Sequence, residues 1–457
     1  MEFGRIVASL FVFAALIVGA GATYVWEPPI GLVAPARINF PASDIERGRG
    51  LAAIGNCATC HTAPGRPAFA GGRRLETPFG VIYSTNITPE TETGIGLWSM
   101  DAFTRALRRG IGRSGRHLYP AFPYDHFTKL ADEDVRALYG FIMTRPPVWM
   151  VTPANELRFP LNFRPLIAGW KLLYFREGRF SPDPALPPER NRGAYLVDGL
   201  GHCGACHTPR NALGAERPEA RLAGGESSGW VAYPINRQSP APERWTVLSL
   251  AHYLGQGWEA SHGISRGPMA DVTANLSGAP EADVRAIASY VARLMSEHPT
   301  PMRGEVMRPV RSERVSATAD SMVVISSVPS AAPGAALYAS ACGTCHETSR
   351  PQPYGGLAFH LSTAVNAPDP TNIINVVLLG LNSPAGERGP IMPAFGGAIT
   401  DPQLVELLRF MRATFSTAPA WSNLEVLVAR QRGRLEAIER VPTHGSEGAR
   451  PPESGTP

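Results

Sequence analysis

The chain has 457 residues, of which 44% are hydrophobic and 18% charged. That is enough apolar material for packed cores, too little charge for a disordered polymer, and a length that fits about three domains. The formal charge is only +4, carried by arginines scattered along the chain with Lys129 and Lys171 as the two lysines, which excludes a strong polyanion binder and nucleic acid with it.

At the N-terminus, Arg5 precedes an apolar run from Ile6 to Val25, long enough to cross a bilayer, and Trp26 follows as an interface residue. Residues 1–26 are expected to be a retained membrane anchor, or else a signal segment cleaved after Ala20-Gly21-Ala22. Both readings place the rest of the chain outside the cytoplasm.

Three units of similar plan are expected next, at 40–147, 188–296 and 334–416. Each opens with a glycine-containing helical approach: Asp44 to Leu51, Asn191 to Leu196, and Gly334 to Tyr338. Each closes with an amphipathic helix. These run from Asp132 through Leu138, Tyr139 and Ile142, from Glu281 through Ile287, Tyr290 and Val291, and from Asp401 through Leu404, Leu408 and Met411. Thr400 with Gln403 forms a capping box for the third, and Asp132 is expected to cap the first. A small residue in each opening helix would let the closing helix cross it closely. The expected fold is all-α, three tandem domains with long loops.

Between the units, residues 148–187 form a linker rich in aromatic and apolar residues, from Trp149 through Trp170, Leu172 and Leu173 to Phe180. It is expected to pack across two domains, the alternatives being a membrane interface or a quinone pocket. Residues 297–333 read as an exposed linker and 417–457 as a C-terminal tail.

All six cysteines fall in three pairs, each followed directly by histidine: Cys57, Cys60 and His61; Cys203, Cys206 and His207; Cys342, Cys345 and His346. This is the attachment pattern of c-type haem. Two thiols three positions apart add to the two vinyl groups of one porphyrin, and the adjacent imidazole reaches the iron. A redox pair or half a zinc site would not explain three histidines, and spacings of 146 and 139 residues between the motifs are too wide for a zinc ribbon. Three covalent haems c are expected, leaving no thiol for disulfides.

The sixth ligand decides what each iron does. Met269, in Arg266-Gly267-Pro268-Met269, and Met392, in Gly389-Pro390-Ile391-Met392-Pro393, lie in matching places after the second and third motifs and are read as axial ligands. The first unit carries Phe122 at that place, and phenylalanine cannot ligate iron. His126 is taken as the candidate sixth ligand there, with His117, Met100, Met143 or an open position as alternatives. No phosphate-cradling loop or dinucleotide fingerprint is present, and no catalytic residue is assigned.

Several strings carry a family resemblance over about residues 40–415: Ala53-Ile54-Gly55-Asn56-Cys57, Tyr83-Ser84-Thr85-Asn86-Ile87-Thr88-Pro89, the run from Tyr195 to Cys203, and Met392-Pro393-Ala394-Phe395. The chain resembles the triheme cytochrome c subunits of bacterial membrane-bound dehydrogenases acting on alcohol, gluconate, aldehyde or nicotinate. The resemblance implies three tandem cytochrome c domains on the periplasmic side of the inner membrane. It also implies that a dehydrogenase catalytic subunit donates the electrons and that ubiquinone or a terminal oxidase receives them. Phe122 with Asp125-His126-Phe127 is more similar to cytochromes paired with molybdenum hydroxylases, which carry an iron–sulfur subunit, than to those of quinoproteins or flavoproteins. A stand-alone peroxidase-like enzyme with an open first haem and a free periplasmic shuttle are the rival readings.

Overall fold

The computed structural model describes residues 25–33, 40–296, 333–347, 355–381 and 392–439. They gather into two compact units, one of residues up to Arg221 with Pro268–Tyr290, the other of Leu222–Gly267 with the residues from Val291 on. Most of the N-terminal apolar run, the linker 297–332 and the chain beyond Glu439 lie outside the described residues. Among the described residues, no helix is long and apolar enough to cross a membrane.

In the first unit, α1 (Ala42–Ile54) runs through Asn56, whose φ of 51° turns the chain, into the short α2 (Cys57–His61). A hairpin follows, β1 (Arg74–Thr77) with β2 (Gly80–Tyr83). Next come α3 (Met100–Arg109), α4 (Tyr124–Phe127) and α5 (Asp132–Met143). The Ser99 side chain caps α3 by accepting from Ala102 N, and Gly110, at φ 57°, ends it. The aromatic linker then adds β3 (Glu156–Leu157) to the edge of β2 and forms α6 (Leu166–Tyr174), before α7 (Pro188–Asp198) and α8 (Gly204–His207). The chain supplies β4 (Gly225–Ser227), β5 (Trp230–Ala232), α9 (Val247–Gln256), β6 (Trp258–Glu259) and β7 (Gly263–Ile264) to the second unit. It then continues through α10 (Pro268–Leu276) and α11 (Glu281–Ser296).

The opening and closing helices cross as the small residues predict. A β-carbon on Gly48 of α1 would stand 2.0 Å from the Ala137 carbonyl oxygen of α5, with Phe141 beside it. Gly193 of α7 meets Ala286 of α11 at the same 2.0 Å, with Tyr290 beside it. Only glycine allows backbones this close.

Two crossings share one unit, where one domain per motif was expected. Asp134 on α5 ties the two crossings together: its carboxylate is 1% exposed and accepts from Arg47 Nε at 2.7 Å and from the Tyr195 hydroxyl of α7 at 2.6 Å. A buried charge demands such partners, and these come from both helix pairs. Asp132 does not cap α5. Ala131 holds that place, and the Asp132 carboxylate pairs with Arg108 and Arg179 at 2.7 Å each.

The linker packs onto this unit through α6. Ala168 and Lys171 are buried, Trp170 Nε1 donates to Leu213 O at 3.0 Å, and Phe180 packs edge-on against Tyr195. It thereby joins the first motif's elements to the second's.

The second unit contains α12 (Pro333–Ala341), α13 (Gly343–His346), α14 (Thr363–Asn366), α15 (Thr371–Leu379), α16 (Asp401–Phe415) and α17 (Leu424–Glu439). The crossing recurs, with a β-carbon on Gly334 placed 2.1 Å from the Glu406 carbonyl oxygen and Phe410 beside it. Thr400 and Gln403 form the expected capping box. Ile374, Leu404, Leu408 and Met411 fill the core.

Two expectations need correction. Residues 424–439 belong to a packed helix, not a tail: Leu424 and Val428, one turn apart, are buried in the core, and Arg432 pairs with Asp401 and donates to Gly396 O at 2.6 Å. The fold is mostly helical but also carries small antiparallel sheets. At β4–β5, Ser228 and Gly229 take φ of 48° and 70°, the left-handed pair that a two-residue hairpin requires.

Candidate haem sites

Each motif forms a single helical turn after an opening helix. At the first, His61 Nδ1 donates to Thr85 O at 2.7 Å, and Gly71 N returns a bond to His61 O at 2.7 Å. At the third, His346 Nδ1 donates to Leu357 O at 2.9 Å, and Phe359 stacks on the ring at 4.0 Å. Burial lowers the pKa of both imidazoles and keeps them neutral. A neutral imidazole whose Nδ1–H is held by a main-chain carbonyl presents Nε2 as a metal ligand. At the second motif, His207 closes α8 and Gly204 is buried, with Glu216 and His126 packed against it.

None of the six cysteines is joined to another by a disulfide. Burial pushes Cys57 and Cys203 up to about 12 and Cys342 up to about 11, so they are protonated at neutral pH. Two thiols and a neutral imidazole on one short helix fit an iron porphyrin held by two thioethers and a proximal nitrogen.

The first two motifs are neighbours. His202, directly before Cys203, turns at φ 35° and donates from Nε2 to Gly55 O at 3.3 Å. Burial and the His126 charge hold its pKa down to about 4. Burial raises the Cys60 pKa, and the nearby Cys206 adds to that rise.

Of the expected sixth ligands, Met269 stands in the first turn of α10. Asn275 on that helix donates to Asn56 Oδ1 at 2.7 Å and to Thr59 Oγ1 at 2.6 Å, and Arg73 pairs with Asp271 at 3.2 Å. Met392 is half-buried against the core of the second unit, its backbone paired with Leu381 in both directions. Met100 opens α3 and Met143 closes α5.

His126 departs from its expected role as sixth ligand of the first haem. Its Nδ1 donates to Asp198 O at 2.9 Å and its Nε2 to Glu216 Oε1 at 2.7 Å, so neither ring nitrogen is open to iron. Burial alone would lower its pKa, but the Glu216 bond and the Asp125 charge outweigh that and raise it. It is half of a buried ion pair beside Gly204. His117, the alternative, is engaged at both nitrogens as well, by Val25 O at 3.0 Å and Lys171 Nζ at 3.2 Å.

Sequence reasoning did not find His202, Asn275, Glu216 or Leu357 as parts of the sites. Thr85 lay within one of the strings that carried the resemblance, whereas Leu357 contributes only its carbonyl and leaves no side-chain signal.

This combination of thiol pair and oriented imidazole defines a c-type cytochrome. Residues 329–411, around the third motif, match the family model "Cytochrome C oxidase, cbb3-type, subunit III". The chain is 36% identical over 428 residues to the fructose dehydrogenase cytochrome subunit of Gluconobacter japonicus, covering 90% of this chain and 87% of that protein. It is 33% identical to the gluconate 2-dehydrogenase cytochrome c subunit of Pantoea cypripedii, over 88% and 91% of the two chains. It is 41% identical over 426 residues to a nicotinate dehydrogenase subunit of Pseudomonas putida, which matches 92% of this chain. The chain spans about a third of that protein's length, 34%. The chain belongs to the family of cytochrome c subunits of membrane-bound dehydrogenases, which are electron-transfer subunits rather than catalytic ones.

Proposed function

We propose that this chain is the electron-relay subunit of a membrane-bound dehydrogenase and carries three covalent haems c. Cys57, Cys60 and His61 would hold the first, Cys203, Cys206 and His207 the second, and Cys342, Cys345 and His346 the third. Met269 and Met392 serve as sixth ligands of the second and third. When bound, each haem supplies a one-electron iron couple. The observation that carries the reading is the hydrogen bond from His202 Nε2 to Gly55 O at 3.3 Å, which links the residues just before the first two motifs and supports an electron path between them.

The chain's own residues provide rigidity and orientation. Gly48, Gly193 and Gly334 let the crossed helices close, and the carbonyls of Thr85 and Leu357 fix the His61 and His346 rings. The donor is a dehydrogenase catalytic subunit. A molybdenum hydroxylase with an iron–sulfur subunit suits the Phe122 loop, and a quinoprotein or flavoprotein is the alternative. Ubiquinone or a terminal oxidase is the acceptor. The chain works on the periplasmic side of the inner membrane, held by its N-terminal apolar run.

Intact mass of the mature protein tests the count: three porphyrin adducts are expected, and the double variant Cys203→Ala with Cys206→Ala should carry one fewer. Membranes holding the complex should show haem c reduction when the dehydrogenase substrate is added. Bare thiols, or haems that stay oxidised, would overturn the proposal.

A further inference from the structure

Among the described residues, the aromatic linker leaves an apolar face without a partner. On α6, Ala168 and Lys171 point inward, while Leu166 is 46%, Leu172 59% and Leu173 62% exposed. Leu166 and Leu173 are two turns apart on one face, and at Gly169 between them a β-carbon would meet nothing within 4 Å. Phe159 and Phe163, in the approach to this helix, are 84% and 57% exposed. Isolated exposed leucines need no explanation, but a contiguous group on one short helix does.

The position of the chain's entry suggests the occupant. The apolar run that begins at Ile6 ends at Val25, and Trp26 beyond it is 68% exposed. His117 joins this point to α6: its Nε2 donates to Val25 O at 3.0 Å, and its Nδ1 accepts from Lys171 Nζ at 3.2 Å. The segment after Val25 is pinned further by Arg105, donating to Pro28 O at 2.7 Å, and by Arg109, paired with Glu27 at 2.6 Å. The point where a membrane-crossing run would emerge is thus fixed one side chain from the inner face of α6. Arg158 and Arg176 flank the exposed leucines and are themselves exposed. Apolar residues flanked by arginines are the composition of a helix that lies in the headgroup layer of an anionic leaflet.

We propose that α6, with Phe159, Phe163 and Trp26, lies in the interfacial layer of the bilayer, its leucines toward the acyl chains and Arg158 and Arg176 at anionic phosphates. This rests on the reading of Ile6 to Val25 as a retained anchor. It adds a second point of attachment that fixes how the first unit faces the membrane.

The test is photo-crosslinking in native membranes, with the full-length, haem-loaded protein carrying p-benzoylphenylalanine in place of Leu173 or, separately, of Trp26. Lipid adducts are expected from both positions. Protein adducts from position 173, to a partner or to a second copy, would overturn the proposal. Lipid adducts from position 26 with none from 173 would overturn it and leave the anchor standing, and the absence of lipid adducts at both would overturn the two together.

Discussion

Gly193 and Ala286 lie so close that a β-carbon on the glycine would stand 2.0 Å from the alanine's carbonyl oxygen. The obstacle is helix backbone, which cannot rotate aside. Gly193→Ala should therefore force α7 and α11 apart and cost about 1–3 kcal/mol or more. Gly433→Ala, at an open position on α17, should be neutral or stabilising by up to about 1 kcal/mol. Thermal unfolding of the two haem-loaded variants compares them directly.

Asp134→Asn removes the charge shared by Arg47, half exposed, and the buried Tyr195 hydroxyl. The expected loss is about 1.5–3 kcal/mol, the range for hydrogen bonds to a charged group. Chemical denaturation should show it, while the ultraviolet–visible spectrum of the folded protein keeps its haem content. A loss below about 1 kcal/mol would contradict the role given to this carboxylate.

Lys171 is buried by α6, and desolvation pulls its pKa down to about 7. Unfolding returns it to about 10.4, so the unfolded chain binds more protons between these values. Its contribution to stability is therefore greatest above about pH 10 and is lost as the pH falls towards 7. The stability difference between wild type and Lys171→Met should accordingly move in favour of wild type from pH 7 to pH 9.5. A flat difference across that range would mean the ammonium is not desolvated.

His126→Ala should leave the low-spin signals in low-temperature magnetic resonance unchanged, because both ring nitrogens are spent on Asp198 and Glu216. Stability should fall by about 1.5–3 kcal/mol, since Glu216 loses a charged hydrogen bond and keeps Arg210 at 3.9 Å. The appearance of a high-spin signal would restore His126 as a ligand.

The parts that were legible in the sequence are those with a strong local rule. The Cys-x-x-Cys-His strings, the glycine of each opening helix, the closing periodicities and the Thr400–Gln403 box all appear where their patterns place them. Features made by distant residues were not legible. His126 reads as a free imidazole until Glu216, ninety positions away, is brought to it. Asp134 looks like one of three acids in a solvated first turn, yet Arg47 and Tyr195 make it the hub of a unit. Helix α17 followed a segment rich in Ser, Ala and Pro, and its half-apolar stripe of Leu424, Val428 and Leu435 gave too weak a periodicity to separate it from a tail.

The bonds from Asn275 to Asn56 and Thr59 span 219 and 216 positions. A chain made from its N-terminus offers its first Cys-x-x-Cys-His turn long before the helix that leans on it has been synthesised. The turn therefore gains this brace only once the chain has been made past residue 275. Until then Asn56 and Thr59 lack the one amide side chain that ties them to α10.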